Sequence, residues 1–375
     1  MKCSLSGKDF FETVRRVRKT VAKNPNVKAL ACAVLELRDH KLCIQTVNLE
    51  YEFAIFTSFV ECETAKEEGI RLVKCEDLYK CADSMKKLAS VELEGDGNVL
   101  HITGDCMQFA LPCYDLTEFP YTNVELEPVG AMSFIRAKHA LQSVCTVIDE
   151  DKWKGSNGRD TFCGAEICLK ENSITMQSTD SHRLVICEFP AKCKDAGTRI
   201  IRGRFLQSFL DSLPKKGLDE IRLFAKGESF CLEWDGFRVI AKAIPGKMPD
   251  FRRVIPRAEW SCELNQIDVA KQAEFVFKNT PKEKKSTPVI AKMNLASDCL
   301  TIRTDCVGKT VYAGKNEKTA FRSIDARLLM EMMDSVSFDT SVCTLYGTDD
   351  EEEPIACEAH TYGMDITHVL MPCIQ

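Results

Sequence analysis

The sequence predicts an α+β protein made of three copies of one unit, each with two helices packed on antiparallel sheets, forming a half-ring. Three observations support this. The length, 375 residues, exceeds one ordinary core and suits two or three domains. Composition is that of a globular chain, 45% hydrophobic and 28% charged. A mark recurs: Leu78 precedes Asp83-Ser84, Leu206 precedes Asp211-Ser212 and Leu329 precedes Asp334-Ser335, always with the same gap. Near-equal spacing of the copies is the signature of an internal repeat.

Each third opens with a short strand, at Cys3-Ser4-Leu5, Ser133-Phe134-Ile135 and Cys262-Glu263-Leu264. An amphipathic helix follows over Gly7 to Lys23, Ala137 to Ile148 and Gln266 to Lys278; in the first, Phe10, Val14, Val17 and Val21 recur at helical spacing. Similar strands come next, Leu42 to Thr46, Ile174 to Ser178 and Leu300 to Thr304, and then the second helix that carries the Asp-Ser mark. Hairpins close each unit. They run from Val91 to Thr103 around Gly95-Asp96-Gly97-Asn98, from Ile221 to Trp234 around Lys226-Gly227, and from Cys343 to Ala359 around an acidic loop. The expected domains are 1–128, 129–256 and 257–375.

The formal net charge is −6, which argues against a surface coated in nucleic acid but allows one basic face. Arg15, Arg16, Arg18, Lys19 and Lys23 lie off the apolar stripe of the first helix, and Lys74, Lys80, Lys86 and Lys87 accompany the second. Arg202 and Arg204 flank the corresponding helix of the middle unit, and the loop from Lys152 through Lys154 to Arg159 adds more. Acidic residues gather elsewhere, at Glu61 to Glu68 and Asp349 to Glu353. Basic helices on one side would hold duplex DNA by its phosphates, which carry no sequence information.

Twenty cysteines are scattered with no Cys-x-x-Cys pair, so zinc has little support and reduced thiols packed as small apolar groups are expected. No cofactor is expected either. Met1 to Phe11 lacks the apolar core of a signal peptide, and no apolar run approaches the ~20 residues of a membrane span, so a cytoplasmic protein is expected.

The stretch Thr179-Asp180-Ser181-His182-Arg183-Leu184 sits between two strand-like runs and reads as a displayed turn. It resembles the Thr-Asp-Gly-His-Arg-Leu segment of the β sliding clamp family of bacterial DNA polymerase III. Lys247-Met248-Pro249-Asp250-Phe251-Arg252-Arg253-Val254-Ile255-Pro256 resembles that family's Phe-Pro-Asp-Tyr-Arg-Arg-Val-(Leu/Ile)-Pro, and Val369-Leu370-Met371-Pro372 its closing Val-(Leu/Val)-Met-Pro-Met. Weaker echoes stand at Asn48-Leu49-Glu50 and Glu118-Phe119-Pro120.

The resemblance implies a head-to-tail homodimer whose helices face double-stranded DNA. It implies a clamp loader that opens the ring, and a DNA polymerase and other proteins that dock through short peptides. By motif match the peptide-binding residues are Thr179, Ser181, His182, Arg183, Leu184, Pro249, Arg253, Val254, Val369, Leu370, Met371 and Pro372. The DNA-binding set is Arg15, Arg16, Lys19, Lys23, Lys80, Lys152, Lys154, Arg159, Arg202 and Arg204. Ser181 in place of Gly, and the ending Cys373-Ile374-Gln375, depart from the family pattern, as does the cysteine content; a divergent bacterial or phage member fits.

An enzyme using Asp180, His182 and Arg183 is the rival reading. No phosphate-binding Gly-x-x-x-x-Gly-Lys-Ser/Thr loop or Gly-x-Ser-x-Gly elbow accompanies them, so no catalysis is expected. A scaffold binding only proteins is the other rival, and it leaves the basic helices unexplained.

Overall fold

The computed structural model describes residues 1–21, 27–49, 54–120, 124–153, 155, 160–214, 219–282, 287–296, 299–313 and 318–373. It is an α+β fold of antiparallel strands with helices α1 (Gly7–Arg18), α2 (Cys75–Met85), α3 (Phe134–Val147), α4 (Glu150–Trp153), α5 (Gly203–Ser212), α6 (Gln266–Asn279) and α7 (Ala326–Val336). Contacts gather the chain into two units, one of Met1–Ala131 with Gln207–Ala243, the other of Met132–Leu206 with Ile244–Gln375.

The helix starts follow from local capping. Ser6 accepts from the Asp9 N–H at 3.1 Å, Asn265 from Ile267 and Asp268, and Asp325 from Arg327, each satisfying an orphan donor. Phe10, Val14 and Val17 are buried as the apolar stripe requires. Helix α1 ends at Arg18, short of the expected Lys23, and residues 22–26 lie outside the described set. In the middle third the expected opening strand is displaced: the strand is Glu127–Ser133, and Phe134-Ile135 begin α3 instead. Their aromatic and branched side chains suit a strand, but burying Phe134 in the first helical turn overrides that propensity.

Leu78, Leu206 and Leu329 are fully buried, so the recurring leucine is a core anchor in all three second helices. The recurring serine bonds back to its own helix. Ser84 donates to the Lys80 carbonyl (2.9 Å), Ser212 to Phe209 (2.6 Å) and Ser335 to Glu331 (2.9 Å).

The expected hairpins form: Val91–Asp96 with Val99–Gly104, Glu220–Lys226 with Ser229–Trp234, and Val342–Gly347 with Ile355–Thr361. Within the first unit one sheet continues past the end of the first third, because Ala54–Glu61 pairs with Phe237–Lys242, Ile55 lying opposite Ile240. The second unit repeats the device, Arg183–Pro190 pairing with Met364–Leu370. A smaller echo recurs three times. A residue at or just past the end of each closing strand pairs back to the strand before the second helix, at Cys113 with Val73, Ile244 with Ile200, and Cys373 with Ser323.

Among the described residues no helix is long and apolar enough to cross a membrane, and no His, Cys, Asp and Glu cluster could hold a metal ion.

Candidate functional site

The turn Thr179–Leu184 belongs wholly to the second unit and is built by its own side chains. Thr179 donates its hydroxyl to the Arg183 carbonyl (2.7 Å) and accepts from the Ser181 N–H (3.1 Å). The Asp180 carboxylate accepts from the backbone N–H groups of His182 and Arg183, both at 2.9 Å, and from Arg183 Nε at 2.9 Å. Ser181 is left with φ +73°, the left-handed region that a glycine occupies without strain. The turn thus folds to a glycine geometry although its sequence carries serine.

The chain terminus lies against this turn. Strand Met364–Leu370 pairs with Arg183–Pro190, Leu184 opposite Val369, and the Met371 N–H donates to the His182 carbonyl at 2.8 Å. Leu184 and Val369 share one apolar cluster with Trp153, Met248, Phe251 and Tyr346, which draws in the 3-10 turn Phe251–Val254. The structure therefore brings together all three sequence stretches of the expected pocket.

Exposure divides the twelve residues. Ser181, His182, Pro249, Arg253, Val254 and Met371 face solvent, and Pro372 is half-buried. Thr179, Arg183, Leu184, Val369 and Leu370 are buried, so they form the floor and frame of the site instead of its open surface. Arg183 was expected to grip a peptide. Its guanidinium instead braces the fold, bonded to Asp180, to Glu331 on α7 and to the Thr146 carbonyl at the end of α3 (2.8 Å). Arg253, whose side chain is 84% exposed and pairs with Asp250 at 3.3 Å, is open to a ligand.

His368 lies under the site, fully enclosed, with Nε2 3.3 Å from the Ser335 hydroxyl. Burial pushes its pKa down to about 3, so it is neutral near pH 7. Burial likewise raises the Tyr346 hydroxyl, which also donates to Glu358.

The basic residues are placed less uniformly. Arg15 pairs with Glu12, Arg16 with Asp235 at 2.6 Å and Lys80 with Asp77 at 3.7 Å, while Lys19 is exposed. Such exposed pairs are weak and screened, so phosphate could displace them. Arg202 departs from expectation: it is buried and sits 3.6 Å from Glu150, which leaves it no route to a phosphate. Arg204 is tied to Glu150 and Asp151. Lys152 leans over the Trp153 ring and reaches the Asp180 carbonyl at 3.3 Å, which places it with the peptide turn. Lys23, Lys154 and Arg159 lie outside the described residues.

Comparison with known proteins agrees with this layout. The family described as DNA polymerase III beta subunit, N-terminal domain, matches residues 1–124. The beta sliding clamp of Haemophilus influenzae is 21% identical over 287 residues, covering 73% of each chain, and that of Streptomyces coelicolor is 24% identical over 284 residues, covering 74% of this chain and 71% of its own. The DNA polymerase III subunit beta of Pseudomonas aeruginosa superposes with a TM-score of 0.84 at 15% identity, covering 100% of both chains. The Helicobacter pylori beta clamp, solved bound to a DNA ligase peptide, superposes with a TM-score of 0.80 at 17% identity over 100% of both. Residues 1–124 match the family's N-terminal domain, and the whole chain shares the fold of the beta clamps.

Sequence reasoning missed Trp153, Phe162, Met248, Phe251 and Tyr346, which line or pack against the apolar cluster beneath the turn. Met248 and Phe251 stood inside a quoted motif, and their spacing from the exposed Val254 was the available signal. Tyr346 and Trp153 carried none, because each reaches the cluster from a distant strand or helix.

Proposed function

We propose that the protein is a sliding clamp: a homodimeric ring around duplex DNA that tethers a polymerase and other partners by short peptides, in the cytoplasm. It holds its partners and converts no substrate. The observation that carries the reading is the joining of the His182 turn to the terminal strand, through the Met371–His182 bond and the shared Leu184–Val369 cluster. Exposed Val254, Pro249 and Met371 offer apolar surface beside His182 and Arg253, a small set of polar groups next to anchor sites. Met371 is adaptable enough to serve several partners.

Three clamp domains, 1–128, 129–256 and 257–375, are part of this reading. So is a phosphate-facing set made of Arg15, Arg16, Lys19 and Lys80, exposed or half-exposed in the first third.

The repeat also suggests how the ring closes. The strand equivalent to Ala54–Glu61 and Arg183–Pro190 is Gly308–Tyr312, which among the described residues pairs only with Cys299–Arg303 and ends its sheet. The strand equivalent to Phe237–Lys242 and Met364–Leu370 is Met107–Tyr114; among the described residues, those from Met107 to Leu111 pair only with Val99–Gly104. Joining these two edges between copies repeats the junction the chain makes twice within itself, and it satisfies both free edges.

The deciding experiment loads the protein on nicked circular DNA with a clamp loader and then linearises the circle. Retention on the circle and loss from the linear form are expected. Equal loss from both forms would remove the encircling mode.

A further inference from the structure

Helix α4 is a single turn of four residues, Glu150 to Trp153, and all four of its side chains are engaged. At its start the Glu150 carboxylate accepts from the Arg204 N–H at 2.5 Å and lies 3.6 Å from Arg202 Nη1 and 3.5 Å from Arg204 Nε. The Arg204 N–H belongs to the first turn of α5. Glu150 therefore satisfies one of that helix's orphan donors from outside and sets a negative charge at its positive end. Asp151 also bonds the Arg204 guanidinium, at 2.5 Å. At the other end of α4, Lys152 Nζ stands 4.6 Å from the Trp153 ring centroid and donates to the Asp180 carbonyl at 3.3 Å. Trp153 packs into the apolar cluster under the His182 turn, edge-on to Phe162 with ring centroids 5.6 Å apart.

Burial ranks these contacts. The side chains of Glu150 and Arg202 are 6% and 7% exposed, whereas that of Asp151 is 86% exposed. The Asp151 pair is screened by water and holds weakly. The Glu150 set is shielded, so it decides where the start of α4 lies. A carboxylate withdrawn from water carries a desolvation cost that an apolar residue of similar size would avoid, so packing alone does not account for it. Its directed bonds do: they tie α4 to the start of α5, while Lys152 ties the same helix to the turn Thr179–Leu184.

We propose that Glu150 is a positioning residue of the peptide site, holding α4 against α5 so that Trp153 supports the floor of the pocket and Lys152 its rim. This role rests on the peptide site proposed above, and it falls to a residue that touches no peptide. Without the Glu150 bonds, α4 is held firmly at one end only. A binding surface keeps its affinity when its supporting residues stay within about 0.5 Å of the productive geometry, so a loosened α4 weakens the site while the sheets beneath stay folded.

The test follows a fluorescein-labelled, polymerase-derived peptide with leucine and phenylalanine anchors by anisotropy on the full-length protein. Two double variants remove the buried charges together. Glu150→Gln with Arg202→Met keeps a side-chain carbonyl for the Arg204 N–H, and Glu150→Leu with Arg202→Met does not. Replacing a buried ion pair by uncharged groups is often neutral for stability, so the two are compared at similar thermal midpoints. The glutamine variant should bind as the parent does, and the leucine variant about tenfold more weakly. A second pair leaves Glu150 in place: Arg204→Pro removes the N–H donor in the first helical turn, where proline is tolerated, and Arg204→Ala keeps it. Only the proline variant should lose affinity. Equal affinity within either folded pair would overturn the role of Glu150 and leave the pocket standing. No binding by the parent protein would remove the pocket, and the role of Glu150 with it.

Discussion

At the scale of single residues, charge is spent on structure where the motif suggested recognition. Arg183 shares a near-closed environment with Asp180, both side chains 9% exposed, and also bonds Glu331. Removing one partner of such a set leaves the other charge uncompensated, which typically costs about 3–5 kcal/mol. A motif shows that an arginine stands at a turn; only the tertiary structure shows it turned inward to Thr146 and Glu331. His368 makes a similar point with a sign that can be worked out. Its folded pKa, about 3, lies below the ordinary histidine value near 6.5, so between those limits the unfolded chain binds the extra proton. The contribution is fully present above pH ~6.5 and is lost as pH falls toward 3, with a slope approaching about 1.4 kcal/mol per pH unit. His368→Gln should therefore show a weaker fall in urea midpoint between pH 7 and pH 4 than the parent protein. Parallel curves for the two proteins would show that the buried imidazole does not control this window.

At the scale of elements, the sequence is legible where one strand or helix decides its own fate. The recurring leucine marks buried helix positions because spacing along one helix is local, and the Gly95–Asn98 hairpin forms because its turn residues suffice. The start of α3 was illegible because Phe134 and Ile135 satisfy strand propensity and helix burial alike. The burial of Val369, Leu370 and Arg202 was illegible for another reason: each depends on neighbours remote in the sequence, Leu184, Arg183 and Glu150. The terminal element offers a test of the site. Strand Met364–Leu370 is paired on both sides, with Arg183–Pro190 and Ile355–Thr361, whereas the residues after it hold on by the Met371 and Cys373 N–H groups. Deleting Met371 to Gln375 should leave the far-ultraviolet circular dichroism unchanged and lower affinity for a polymerase-derived peptide by at least tenfold, a loss of about 1.4 kcal/mol or more. Peptide affinity that survives the deletion in a folded variant would move the binding surface elsewhere.

At the scale of the whole molecule, repetition turns a local pairing rule into an assembly rule. The chain joins one third to the next twice by the same antiparallel register, and the third instance has its two edges at Gly308–Tyr312 and Met107–Tyr114. Edge strands left open invite indiscriminate pairing, so a protein that keeps two matching edges has a reason to close them on a second copy. Proline tests this because it removes one backbone donor, and neighbouring residues of a strand direct their N–H groups to opposite sides. Lys309→Pro and Thr310→Pro, made separately, therefore cover both directions: one strikes the pairing with Cys299–Arg303, the other the outer edge. The variant that keeps its thermal stability should sediment as a monomer and slip from nicked circular DNA, since an open arc cannot retain a duplex. If the stable variant remained a dimer, the ring would have to close through some other pair of surfaces.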